Sequence, residues 1–92
     1  MSDFRLKVFL SVAKNLSFTK ASQELFVSQP AITKHIQELE TCYQARLFDR
    51  QGNKISLTEA GKLLQEHSEK ILEDYKRLEY AVSYTHLTLP TT

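Results

Sequence analysis

Apolar residues recur with a helical period in four separate stretches of the 92-residue chain. Between Met1 and Leu16, the residues Leu6, Phe9, Leu10, Ala13 and Leu16 follow i, i+3, i+4, i+7 and i+10, while Phe4, Val8 and Val12 widen the apolar surface. The pattern predicts a first helix, capped by Ser2 or Asp3, that packs on more than one neighbour. Ser17 and Ser28 then stand eleven positions apart, each just ahead of a new periodic run. A serine in that place can accept a bond from the free amides of a first helical turn. They predict two short helices in tandem. The first adds Phe18, Ala21 and Leu25 to the core, and the second, from Ser28 to about Tyr43, buries Ile32, Ile36, Leu39 and Tyr43 at i, i+4, i+7 and i+11. Only the apolar Leu25, Phe26 and Val27 connect them, so the pair must turn sharply on a shared core, as in a helix-turn-helix.

After Tyr43 the period changes. Arg46 to Arg50 and Lys54 to Leu57 are two short segments around Gln51-Gly52-Asn53, where Gly52 supplies the positive φ of a tight turn. They predict a small β-hairpin, a wing, with Arg50 and Lys54 flanking its tip. Thr58 caps a long last helix, with Glu59 in its first turn. Along it Leu57, Leu64, Ile71 and Leu78 repeat every seven residues, accompanied by Ala60, His67, Tyr75, Ala81 and Val82. The repeat predicts pairing of two copies, with Leu64, Ile71 and Leu78 as the dimerisation residues. His67 and Asp74 interrupt the seam, so pairing should also lean on the globular module; the competing arrangement is a helix folded back on its own domain. Ser83 to Thr92 carry four Thr, Pro90 and no charge apart from His86 when protonated, a break in composition that predicts a non-native or disordered tail. The expected fold is mainly α: a winged helix-turn-helix over 1–58, a linker helix for dimerisation over 59–82, and the tail over 83–92.

With 41% hydrophobic residues, the composition supports one small domain with a modest core. The sequence has no apolar run near eighteen residues and no signal-peptide pattern, so the expectation is a cytoplasmic protein without membrane attachment. Cys42 is the single cysteine, and His35, His67 and His86 are dispersed. Neither a metal site nor a nucleophile and base at a catalytic spacing can be read from them, and the expectation is a non-enzyme without cofactor. Net charge is only +1, but its distribution is uneven. Residues 1–58 hold eight Lys/Arg against five Asp/Glu, whereas residues 59–82 hold four against six. The basic character belongs to the N-terminal module, which fits duplex DNA as partner.

The candidate chemistry lies opposite the apolar stripe of the second tandem helix. Gln29, Pro30, Thr33, Lys34 and Gln37 form a polar face near an N-terminus, the end that enters the major groove in helix-turn-helix proteins and where the helix dipole favours phosphate. Gln, Thr and Lys can read base edges or hold phosphates, and Arg50 and Lys54 could carry charge to the backbone or minor groove. A protein–protein adaptor using the same surfaces is the alternative, but such a face would more often be apolar and aromatic.

Taken together, Phe9, Val12 and Ala13, Ser17-Phe18-Thr19-Lys20-Ala21, Leu25, Val27-Ser28-Gln29-Pro30-Ala31, Ile36, Leu39-Glu40, Leu47-Phe48-Asp49-Arg50 and Leu57-Thr58-Glu59-Ala60-Gly61 resemble the N-terminal DNA-binding domain of LysR-type transcriptional regulators, over roughly residues 3 to 82. The resemblance implies sequence-specific binding to double-stranded operator DNA as a homodimer paired through the linker helix, with a higher oligomer open to the intact protein. It places Ser28, Gln29, Pro30, Thr33, Lys34 and Gln37 on the recognition helix, Thr19 and Lys20 near phosphates, and Arg50 and Lys54 on the wing. Family members continue into an effector-binding domain, so no small-molecule site is expected in these residues. Two departures stand out. The family usually has Leu-Gly where this chain has Tyr43-Gln44, and Gln44 would adopt a left-handed helix end only at a cost of about 1 kcal/mol. Ala-Ala is replaced by Ala21-Ser22 and Ser by Thr33, whose added methyl could contact thymine.

Overall fold

The computed structural model describes residues 3–88: α1 (Asp3–Asn15), α2 (Phe18–Leu25), α3 (Gln29–Tyr43), β1 (Phe48–Gln51), β2 (Lys54–Leu57) and α4 (Glu59–Thr88). Ser2 as a helix cap falls outside the described residues, and so do Leu89 to Thr92 of the tail. Helix α1 packs against α2, α3 and α4. Being enclosed on three sides, it buries Val8, Phe9 and Val12 completely. Val8 and Val12, which merely widened the stripe in sequence, are therefore its centre, while Phe4 is 40% exposed and Leu16, one residue past the helix end, is exposed with φ 48°. Ala13, Ala21, Ile32, Ile36, Leu39, Leu47 and Phe48 complete the core.

Both expected serine caps form. Ser17 Oγ accepts the Lys20 amide at 3.0 Å, and Ser28 Oγ accepts the Ala31 amide at 3.2 Å. Between them the chain reverses at Phe26, which takes up a left-handed conformation (φ 58°, ψ 41°) and leaves 92% of its surface exposed. The connection is thus not uniformly apolar core: Val27 packs inward and Phe26 does not. Tyr43 also departs from the predicted stripe, being 53% exposed, because α3 has run past the core by the turn after Leu39. Gln44 ends that helix in the left-handed region (φ 52°, ψ 44°), its amide donating to the Glu40 and Thr41 carbonyls. The fold keeps the helix end and accepts a strain of about 1 kcal/mol that glycine would not carry.

The wing is a two-stranded antiparallel hairpin in which Gln51 pairs with Lys54, Arg50 with Ile55 and Phe48 with Leu57. Gly52, with φ +63°, makes the turn. Its base is fixed to the start of α4. The Thr58 amide donates to Leu47 O at 3.1 Å, Thr58 Oγ1 donates to Arg46 O at 2.5 Å, and the Gly61 amide donates to Thr58 Oγ1 at 3.0 Å.

Helix α4 divides the seven-residue repeat. Leu57 and Leu64 pack against the domain's own core, with Gly61 and Ser68 buried nearby, whereas Ile71 and Leu78 are 44% and 58% exposed. Leu64 is therefore a core residue before it is a pairing residue. The repeat of seven fits both roles, since i and i+7 share a face whether that face meets the same domain or a second copy. Helical structure also runs on to Thr88, six residues past the boundary read at Val82, so the break in composition is no break in the backbone.

One polar brace joins α1 to α2. The Glu24 carboxylate accepts bonds from Lys14 Nζ at 2.7 Å, Ser11 Oγ at 2.5 Å and Asn15 Nδ2 at 3.2 Å. The Lys14 bond, then the Ser11 bond, hold its pKa down to about 2 from an ordinary 4.5. A depressed carboxyl stabilises the fold above its unfolded pKa and loses that contribution as pH falls through its folded one. Melting temperature should therefore fall from pH 4.5 to 2. Glu24→Gln should flatten that part of the profile; an unchanged profile in the variant would show that the brace is not responsible.

Candidate nucleic-acid interface

The Ser28 cap leaves the first turn of α3 at the surface, with Gln29, Pro30, Lys34 and Gln37 exposed and Thr33 half-buried. Gln29, Thr33 and Gln37 succeed one another at four-residue intervals and so line one edge of the helix, bordering the buried face of Ile32, Ile36 and Leu39. Pro30 sits where its missing amide costs nothing and its fixed φ suits helix entry. Ser28 differs from its neighbours in that its hydroxyl is engaged by the Ala31 amide, which leaves it a capping residue with only its remaining capacity for a ligand. Thr19 and Lys20 are exposed in the first turn of α2, beside the Ser17 cap.

The two wing cations are not a matched pair. Successive strand residues point to opposite faces, so Arg50 shares its face with Phe48, its cross-strand partner Ile55, and Leu57, while Lys54 lies on the other face opposite Gln51. Phe48 is buried, and Arg50 accordingly leans inward from the hairpin, its guanidinium carbon 5.0 Å from the ring centroid of Phe18. Arg50 is thus drawn towards α2 and α3 while Lys54 stays at the exposed turn. Thr33, Gln37, Phe18 and Arg50 line one crevice of about 170 Å³ between α3 and the wing.

Arg46 belongs to the same crevice, although it is not among the residues the sequence pattern places in the site. One of its guanidinium nitrogens donates to Phe48 O at 3.3 Å, which lays the side chain along the entry to the wing. Its signal was available: Arg46, Phe48 and Arg50 alternate in an extended segment and so share a face. Glu40 serves the geometry from α3, accepting the Leu47 amide at 2.9 Å where the chain leaves the helix for the hairpin. Among the described residues no group of three His, Cys, Asp or Glu is placed to hold a metal ion, and no helix is long and apolar enough to cross a membrane.

A family model described as bacterial regulatory helix-turn-helix protein, lysR family, matches residues 4–62. A protein of Thalassiosira pseudonana named "Probable RuBisCO transcriptional regulator" is 47% identical over 68 residues, covering 74% of this chain and 22% of its own length. HTH-type transcriptional regulator CitR of Bacillus subtilis is 39% identical over 75 residues, covering 80% of this chain and 26% of its own length. The chain thus spans about a quarter or less of these relatives. Among solved structures, the CbnR DNA-binding domain in complex with DNA superposes with a TM-score of 0.88 at 34% identity, covering 94% of this chain and 99% of that one.

Proposed function

This chain belongs to the lysR family of bacterial regulatory helix-turn-helix proteins, and from that premise we propose that it is the operator-binding part of a cytoplasmic transcription regulator. In this reading α3 lies in the major groove, the wing rests on the backbone or minor groove, and two copies pair through α4. The observation that carries it is the row Gln29, Thr33 and Gln37, a polar edge that begins at the exposed, Ser28-capped start of α3 and borders its buried apolar face. Such a row can meet base edges without deforming the core. The likeness to a DNA-binding domain bound to DNA, at 34% identity, supports the same docking. Pairing is supported by the exposure of Ile71 and Leu78 and by an apolar cleft of about 330 Å³ where Tyr43, Leu63, His67 and Ile71 meet at the foot of the helix.

Within this interface the side chains divide between reading and gripping. Gln offers a donor and an acceptor that pair bidentately with adenine, and Thr offers a hydroxyl and a methyl, so both discriminate bases. Lys20 begins the helix that crosses the backbone in this motif, where its charge holds phosphate without carrying sequence information. Selection of bound duplexes from a random pool tests the proposal and supplies the probe. On the selected site Gln29→Ala or Thr33→Ala should cost about 1 to 3 kcal/mol, with little change on scrambled DNA. Lys20→Ala should weaken both alike and lower the slope of log affinity against log salt by about one. If Gln29→Ala and Lys20→Ala lose affinity in the same proportion on both DNAs, the reading face is misassigned, and a chain that enriches no duplex ends the proposal.

A further inference from the structure

The hairpin register turns Arg50 away from the wing tip, and what it meets is an aromatic chain rising from the core. Phe9, fully buried, packs against Phe48 with ring centroids 5.4 Å apart, and Phe48 meets Phe18 edge-on at 6.1 Å. Phe18 in turn lies under the Arg50 guanidinium at 5.0 Å. Each ring is fixed by the one beneath it, so the last one presents a fixed face to a side chain that would otherwise sample many rotamers. Among the described residues Arg50 has no carboxylate within ion-pair distance. A guanidinium held over a ring can still offer N–H donors to another partner, and Arg50 lines the same crevice as Thr33 and Gln37.

We infer that Phe18 is the positioning residue for Arg50, holding its guanidinium ready to grip a phosphate at the rim of the groove that α3 reads, and not at the hairpin tip. The inference rests on the DNA-binding reading and adds to it a residue of α2 that touches no DNA itself. Stacking on Phe18 removes rotamer freedom before DNA arrives, so less is lost on binding. It also ties the wing contact to the start of α2, which carries Thr19 and Lys20, so that one rigid edge bears all three side chains.

The test is a double-mutant cycle on the 92-residue chain, with fluorescence anisotropy on a duplex recovered by selection. Phe18→Leu should weaken binding about two- to fivefold, the worth of an exposed cation–π contact, and Phe18→Tyr, which keeps the ring, should restore it. In an Arg50→Ala background Phe18→Leu should cause no further loss, and Arg50→Ala itself should lower the salt slope by about one. An equal loss from Phe18→Leu with and without Arg50 would mean that Phe18 acts through packing alone and would overturn the inference, as would an unchanged slope in Arg50→Ala. Should Phe18→Leu lose its helical circular dichroism, Arg50→Lys answers from the other partner. It keeps the charge and the slope but loses the planar stack, so a two- to fivefold loss supports the inference and a wild-type affinity overturns it. Failure of the unaltered chain to bind any duplex would be distinguishable from all of these, because it removes the DNA-binding reading on which they stand.

Discussion

A chain with glutamate at both Ile71 and Leu78 is expected to sediment as a monomer and to bind its operator about 100- to 10,000-fold more weakly, because two linked half-sites become independent ones. Both side chains are exposed in the single copy, so their replacement should leave its folding stability within about 0.5 kcal/mol. That separation is what makes the pair informative. Leu64, the earlier member of the same repeat, would not serve, since it packs on the domain's own core and a charge there would unfold the module as well as part the copies. A dimer that persists in the double variant places the pairing surface elsewhere.

Gly61→Ala is expected to cost about 3 kcal/mol, at the upper end of what overpacking does. A Cβ at this position would stand 2.2 Å from Leu47 O and 2.9 Å from Leu57 Cδ2. The first obstacle is backbone. Leu47 O also accepts the Thr58 amide, and the Leu47 side chain is fully enclosed, so the carbonyl cannot retreat without giving up a bond and disturbing the core. For a domain of this size the melting temperature should fall by roughly 12 to 24 °C, measurable by circular dichroism. A fall of less than about 4 °C would show that the wing and α4 can part freely at this point.

The parts of the fold that were legible in the sequence are those fixed within a turn or two. Ser17, Ser28 and Thr58 cap because a hydroxyl three residues ahead of a free amide needs nothing from the rest of the chain. Gly52 is similarly local. Leu64 was read as a pairing residue because a period of seven records a face and not what covers it. The centre of α1 moved from Leu6 and Leu10 to Val8 and Val12 for a related reason: a helix touched from three sides has no single stripe to read. The opposite orientation of Arg50 and Lys54 depends on the pairing of Gln51 with Lys54, which only the hairpin's register decides. Contacts between distant residues left no local trace at all. Arg50 and Phe18 are separated by α3, and the carboxylate of Glu24 is met by Ser11 and Lys14 from another helix.

The three hydrogen bonds at Thr58 also bear on the DNA that the chain can accept. They fix the foot of the wing to the first turn of α4, a helix about 45 Å long by its thirty residues. If the far half of that helix holds the second copy, the angle between one wing and the molecular two-fold axis is set by this junction together with the packing of α4 on α1. Operator spacing then behaves as a phase and not merely a length. Two half-sites separated by an added half turn, about five base pairs, would present their second groove on the wrong side of the duplex. A full turn of about ten would restore the facing but lengthen the span that the two joined copies must bridge.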